Sequence, residues 1–332
     1  MPIVEVTRGE MVESRHTGVA VIADARGRVH DHWGDVERRV YPRSAIKSIQ
    51  ALAIVETGAA EAFDVTDEEL ALACASHSGE PGHIERVQAW LTRIGCTVED
   101  LECGSHRPYA PDAADDLVRS GAPPTALLNN CSGKHTGFLT HARHRGEPVA
   151  GYRHFHHPAQ QRVLGILETM MVQDLRGAPR AIDGCSIPTY GVSVGALAVA
   201  MARMADPDGH VPDRRVAAIN RVRTAWGAHP WLVAGTGRFD TNVMQAMNGR
   251  AMVKGGAEAV CCACIPEQGI GIALKIDDGG KRASEVAMAA LLVHVGALDP
   301  STPEAANLLA PSLTNWNGLD VGQVRTAPGF PR

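Results

Sequence analysis

The chain has 332 residues, with 32 Lys and Arg against 37 Asp and Glu, a formal charge of −5 and 45% hydrophobic residues. That length predicts one globular domain with an ample core, and the slightly acidic balance, with no basic stripe, excludes nucleic acid as a partner in favour of a small soluble substrate. The start, MPIVEVTRGE, is too charged for a secretory signal and no apolar run approaches the ~20 residues of a membrane span, so a cytoplasmic protein without membrane contact is expected.

In chain order, TGVAVIADARGRVHDHWG (residues 17–34) predicts two strands around an Arg-Gly turn. Pro42 precedes a helix from about Ser44 to Glu56, with Ile46, Ile49, Leu52 and Ala53 on its apolar stripe. TDEELALACASHS and HIERVQAWLTRIG predict two more helices, the first capped by Thr66, and SHSGEPGH joins them. Further helices are expected at 158–173, 191–205, 211–227 and 282–296. Between the last two, GRAMVKGGAEAVCCACIPEQGIGIALKIDDGG reads as strands separated by Gly and Pro turns, the middle one apolar enough to be buried on both faces. This order puts early and late strands in one sheet flanked by helices, with an all-helical insertion: an α/β (α+β) domain over 1–332 with a helical subdomain at roughly 60–230.

The chemistry starts from lysine, which occurs only five times, at 47, 134, 254, 275 and 281. A chain that uses Arg wherever it needs charge keeps Lys where an amine must lose its proton, which guanidinium does not do. Ser44 and Lys47, three apart on a helix, have the parts of an activated nucleophile; a capping Ser and a surface Lys is the plainer alternative. Acyl transferases of the β-lactamase and penicillin-binding type place S-x-x-K, a loop Ser and K-[ST]-G in this order. The matches here are Ser44 with Lys47, then Ser76 or Ser78, then Lys254 before Gly255 and Gly256. Because the hydroxyl of K-[ST]-G is missing, a substrate carboxylate must be recognised by other means.

NNCSGKHTG is not a P-loop, since Leu128 stands where the first Gly is required. It carries Cys131 and Lys134, and AIDGCSIPTYG brings Asp183 and Cys185; two thiolates from separate loops suit zinc, and buried thiols are the alternative. The eight cysteines fit a reducing compartment, with Cys261, Cys262 and Cys264 as core packing, and YRHFHHP reads as a solvated loop.

Together, VESRHTG, PRSAIKSIQALAIVETGAAEAF, SHSGEPGH, NNCSGKHTG, IDGCSIPTYG, GTGRFDT and KGGAEAV resemble, in order and along nearly the whole chain, the zinc-containing class 3 L-asparaginases of the rhizobial type, which have a serine β-lactamase-like fold. The resemblance implies hydrolysis of L-asparagine to L-aspartate and ammonia by a homodimer. It also implies two Ser-Lys pairs, Ser44 with Lys47 and Ser76 with Lys254; one zinc on Cys131, Lys134 and Cys185; and Arg43, His135 and Asp183 close to substrate. A glutaminase or other small-amide hydrolase keeps every motif, a penicillin-recognising peptidase shares S-x-x-K, and a non-catalytic zinc or amide-binding protein is the alternative of a different class.

Overall fold

The strand Met11–Asp24, fourteen residues long, carries two kinds of sequence, and the sheet is built around the change. From Met11 to Arg15 exposed and half-buried positions alternate, as in a strand with one covered face; Val19–Ala23 are buried without a break, as where both faces are covered. The computed structural model, which describes residues 1–331, pairs the first half with Pro2–Arg8 (Val6 opposite Ser14) and the second with Ile270–Ile276 (Ile22 opposite Ile272). The sheet has eight strands in the order Ser312–Thr314, Asp320–Thr326, Pro2–Arg8, Met11–Asp24, Ile270–Ile276, Val260–Ile265 and Met252–Gly255, with Val29–Trp33 also on Met11–Asp24. Every pairing in it is antiparallel.

Helix Val194–Ala205 lies on Met11–Asp24, Ile270–Ile276 and Val260–Ile265, and helix Lys281–His294 touches Pro2–Arg8, Ile270–Ile276 and Asp320–Thr326. Gly271 sets how close the first helix comes. A Cβ there would stand 2.2 Å from both Ala198 O and Ala202 N, so a larger residue would push the helix off the sheet. The mainly antiparallel sheet flanked by helices, with early and late strands side by side, is the predicted architecture. The hairpin Ser312–Thr314 with Asp320–Thr326 is not among the predicted elements.

These strands and two helices belong to one compact unit, made of Met1–Ala45, Val192–Asp206 and the chain from Asn242 onward. Ile46–Gly191 and Pro207–Thr241 form a second unit, helical apart from a ribbon of Arg180–Ile182 with Pro188–Tyr190. Its central element is the helix Lys47–Glu56, buried from Lys47 to Ile54 and touching helices Ser132–His144, Pro158–Met171 and Asp213–Ala228. That enclosure suits KSIQALAIVE, which is apolar or small round most of its circumference. At its far end Glu56 Oε2 accepts from Arg215 Nη2 at 3.0 Å, a buried ion pair that ties it to Asp213–Ala228.

The helix predicted from about Ser44 starts later. Arg43–Ile46 is a 3₁₀ turn and the α-helix begins at Lys47. Arg43 sits at φ 49°, a left-handed conformation that an α-helix cannot run through, so the tighter turn absorbs the entry. The helix Asp67–Ala73 has the expected Thr66 cap, completed by Glu69 as a capping box, and stops five residues short of its predicted end at Ser78, leaving CASHSG as turn and loop.

Candidate active site

In the helical unit, Lys47 is fully buried at the first turn of its helix, an expensive place for an amine without partners. Its partners are polar groups of two loops. Nζ donates to Ala75 O and to Ser76 Oγ, the latter at 3.0 Å, and it also bonds the Cys131 sulfur. Of the two serines that the sequence left open, Ser76 meets Lys47, whereas Ser78 Oγ donates to Ala234 O at 2.9 Å.

Cys131 continues the network. It stands just before the helix Ser132–His144, with its N–H held by Asn129 Oδ1 at 2.8 Å. The thiol of Cys185 bonds it, and that bond, with Lys134 and Lys47 nearby, outweighs burial and keeps the Cys131 thiol well below its usual value. Lys134 Nζ donates to Cys185 Sγ at 2.9 Å, and Cys185 Sγ lies 3.4 Å from Asp183 Oδ2. Burial would lower the Lys134 ammonium, but the two sulfurs and Asp183 hold it well above its ordinary value. The hairpin turn that brings Cys185 here holds Ser186 at φ 74°, closed by Ser186 N to Asp183 O at 2.8 Å.

Among the described residues no three His, Cys, Asp or Glu side chains are grouped to hold an ion by themselves. The third donor in this set is an amine. Two buried sulfurs and a lysine nitrogen fit zinc by donor chemistry, provided the proton they now share leaves when a metal binds.

Two buried histidines brace this set, and both are kept neutral by burial with lysine charge close by. His77 Nδ1 accepts from Gly79 N at 3.2 Å, so its proton is on Nε2, which donates to Ser132 Oγ at 2.8 Å. The Ser76 loop is thereby pinned to the first residue of the helix that carries Lys134. His135 Nδ1 meets Tyr152 OH at 2.6 Å, and that hydroxyl accepts from Glu102 N at 2.9 Å. His135 Nε2 is buried with no protein partner, the kind of group that a water or ligand satisfies. Tyr152 lies in the stretch expected to be a solvated loop, yet it is fully buried. Tyr152, His77 and Ser132 lie within YRHFHHP, SHSGEPGH and NNCSGKHTG, but nothing in those stretches marked them individually.

In the sheet unit, Ser44 and Arg43 are half-buried on the 3₁₀ turn. Lys254 is 1% exposed on the edge strand Met252–Gly255, where Nζ donates to Gly255 O at 2.7 Å. Gly256 brings that strand's end against the turn: a Cβ there would be 3.3 Å from Ser44 N, 3.2 Å from Pro42 O and 3.1 Å from Ala45 N. Ala45 N–H is already bonded to Pro42 O at 3.1 Å.

Among solved structures, the chain is similar to Mglu in its native form, at 15% identity over 86% of this chain and 66% of that one, with a TM-score of 0.44. A β-lactamase from Mycobacterium bovis shares 15% identity over 85% of this chain and 95% of its own, also at 0.44, and a simvastatin synthase mutant from Aspergillus terreus shares 12% over 88% and 90%, at 0.39. The chain thus spans just under two thirds of Mglu. No curated protein matches it. The L-asparaginase II family model matches residues 4–326, which include every site residue named above, and the chain belongs to that family.

Proposed function

We propose that this protein hydrolyses the side-chain amide of L-asparagine to L-aspartate and ammonia by acyl transfer through Ser44. The observation that carries the reading is Lys47, a fully buried amine bonded to Ser76 and three residues from Ser44, in a chain of the L-asparaginase II family. Ser44 Oγ attacks the amide carbon and Lys47, as the free amine, takes its proton. The N–H of Ser44 meets the oxyanion, with Gly256 leaving room for it. Ser76, served by Lys254 as its second lysine, passes a proton to the leaving nitrogen. Ammonia departs, and a water deprotonated by the same pair cleaves the ester to release L-aspartate and restore Ser44. Arg43, His135 and Asp183 contact substrate. Zinc on Cys131, Lys134 and Cys185 would supply a fixed positive centre that orients substrate or loops, and every proton transfer is made by the Ser-Lys pairs. The family resemblance also supports a homodimer.

A coupled ammonia assay with L-asparagine, L-glutamine and D-asparagine tests the reading. Release from L-asparagine that falls to background in Ser44→Ala, with an unchanged circular dichroism spectrum, is expected. Preference for L-glutamine would make the protein a glutaminase, and tight amide binding without ammonia would make it a sensor.

A further inference from the structure

We propose that Arg238 binds the α-carboxylate of the substrate and makes the site selective for amino-acid amides over uncharged ones. The proposal rests on Ser76 belonging to the catalytic set. Within the helical unit, the loop 76–80 and the loop 233–238 run side by side. Ser76 N donates to Val233 O at 2.9 Å, Ser78 Oγ to Ala234 O at 2.9 Å, and Thr236 N and Oγ1 to the carboxylate of Glu80 at 2.8 and 2.7 Å. Gly235, at φ 119°, permits this closeness, since a Cβ there would stand 2.5 Å from Glu80 Oε1 and 2.7 Å from Ser78 Oγ.

Arg238 closes the second loop. Arg86, Arg93, Arg162, Arg215 and Arg221, in the same unit, each meet a glutamate. Arg238 is half-buried, donates Nη1 to the neutral hydroxyl of Ser78 at 3.2 Å, lies 5.9 Å from the Tyr109 ring centre, and has no carboxylate partner among the described residues. The carboxylate of its own loop pair, Glu80, is occupied by Thr236. A partly desolvated guanidinium with unused donors is built for an anion, and its planar fork matches a carboxylate.

The spacing suits L-asparagine. Ser78 is two residues from Ser76, no more than about 7 Å along the backbone, and the substrate's carboxylate and amide carbons are three C–C bonds, about 4 Å, apart. A carboxylate held by Arg238 beside Ser78 therefore leaves the amide at the Ser76 end of the loop. Lys254-Gly255-Gly256 also lacks the hydroxyl that would otherwise take a carboxylate.

The test compares L-asparagine with L-asparagine amide, which lacks the negative charge, in wild type, Arg238→Gln and Arg238→Lys. Arg238→Gln should raise KM for L-asparagine roughly tenfold to a hundredfold, the range of one charge-assisted hydrogen bond, with a much smaller change in kcat. Its kcat/KM for the amide should fall far less, and Arg238→Lys should recover part of the L-asparagine KM. Equal loss on both substrates, or no loss on either, overturns the proposal; damage to the loop would give the first pattern together with a lowered Tm. Should wild type release no ammonia at all, the reaction assignment fails separately. Calorimetric binding of L-asparagine then decides on Arg238: weaker binding by the Gln variant is expected, and equal affinity overturns it.

Discussion

Cys262 and Cys131 are both fully enclosed and both have lysine charge nearby, yet their thiols go in opposite directions. Cys262 stands directly opposite Lys254 across two strands, and burial nonetheless pushes its thiol up to about 12. Lys254 Nζ donates to Gly255 O, and its charge acts on the Cys262 sulfur through space. Cys131 receives a bond from the Cys185 thiol, which with the Lys134 and Lys47 charges holds it well down against burial. The difference teaches that a nearby cation does not make a buried thiolate. At Cys131 the hydrogen bond from Cys185 tips the balance, at the expense of Cys185, whose own thiol that bond and burial push well up although Lys134 also donates to it.

That contrast can be sharpened by removing its parts. The largest effect is expected at Lys47, the amine shared by Ser76 and Cys131: Lys47→Arg keeps the charge but not the exchangeable proton, and turnover should drop at least ~10²-fold. Near-normal turnover would reduce Lys47 to a counter-charge for the thiol pair. Next comes Cys131→Ala. Metal analysis should find about one zinc per chain in wild type and none in this variant, with a loss of activity smaller than at Lys47; a full complement of metal in the variant would remove the thiol pair from the site. The smallest effect belongs to the sheet, where Cys262→Ala should lower stability by only about 1–2 kcal/mol in urea unfolding and leave turnover within about twofold. A large loss of turnover there would erase the distinction between the two cysteine regions.

Much of this was legible in order along the chain, because periodicity and local motifs are local physics. The helices Pro158–Met171, Val194–Ala205, Asp213–Ala228 and Lys281–His294 coincide with the apolar repeats that predict them, and CCAC reads as core because the strand is buried at every position. The scarcity of lysine pointed to Lys47, Lys134 and Lys254, which are the three fully buried lysines, while Lys281 is exposed and pairs with Glu285. What was illegible depends on tertiary approach. No spacing rule joins Lys47 to Ser76, His77 to Ser132, or Arg238 to Ser78, and Tyr152 is hidden in a His-rich run whose composition suggests solvent. The last hairpin was missed because its strand Ser312–Thr314 is exposed and half-buried throughout, and Trp316 beside it is fully exposed, so no core-facing period marks it.

The long strand Met11–Asp24 also has a history in time. One of its edges is satisfied by near neighbours, Pro2–Arg8 and Val29–Trp33, but the edge of Val19–Ala23 must wait for Ile270–Ile276, and Val4 for Thr326. Closing loops of that length adds little to the equilibrium cost, about 0.6 kcal/mol for each doubling, but it is the kind of contact that slows folding. Until the late strands arrive, an apolar run with unpaired N–H and C=O groups faces water. During synthesis and refolding this edge is a template for pairing with another chain, and rapid handover to a chaperone or a low protein concentration would protect it.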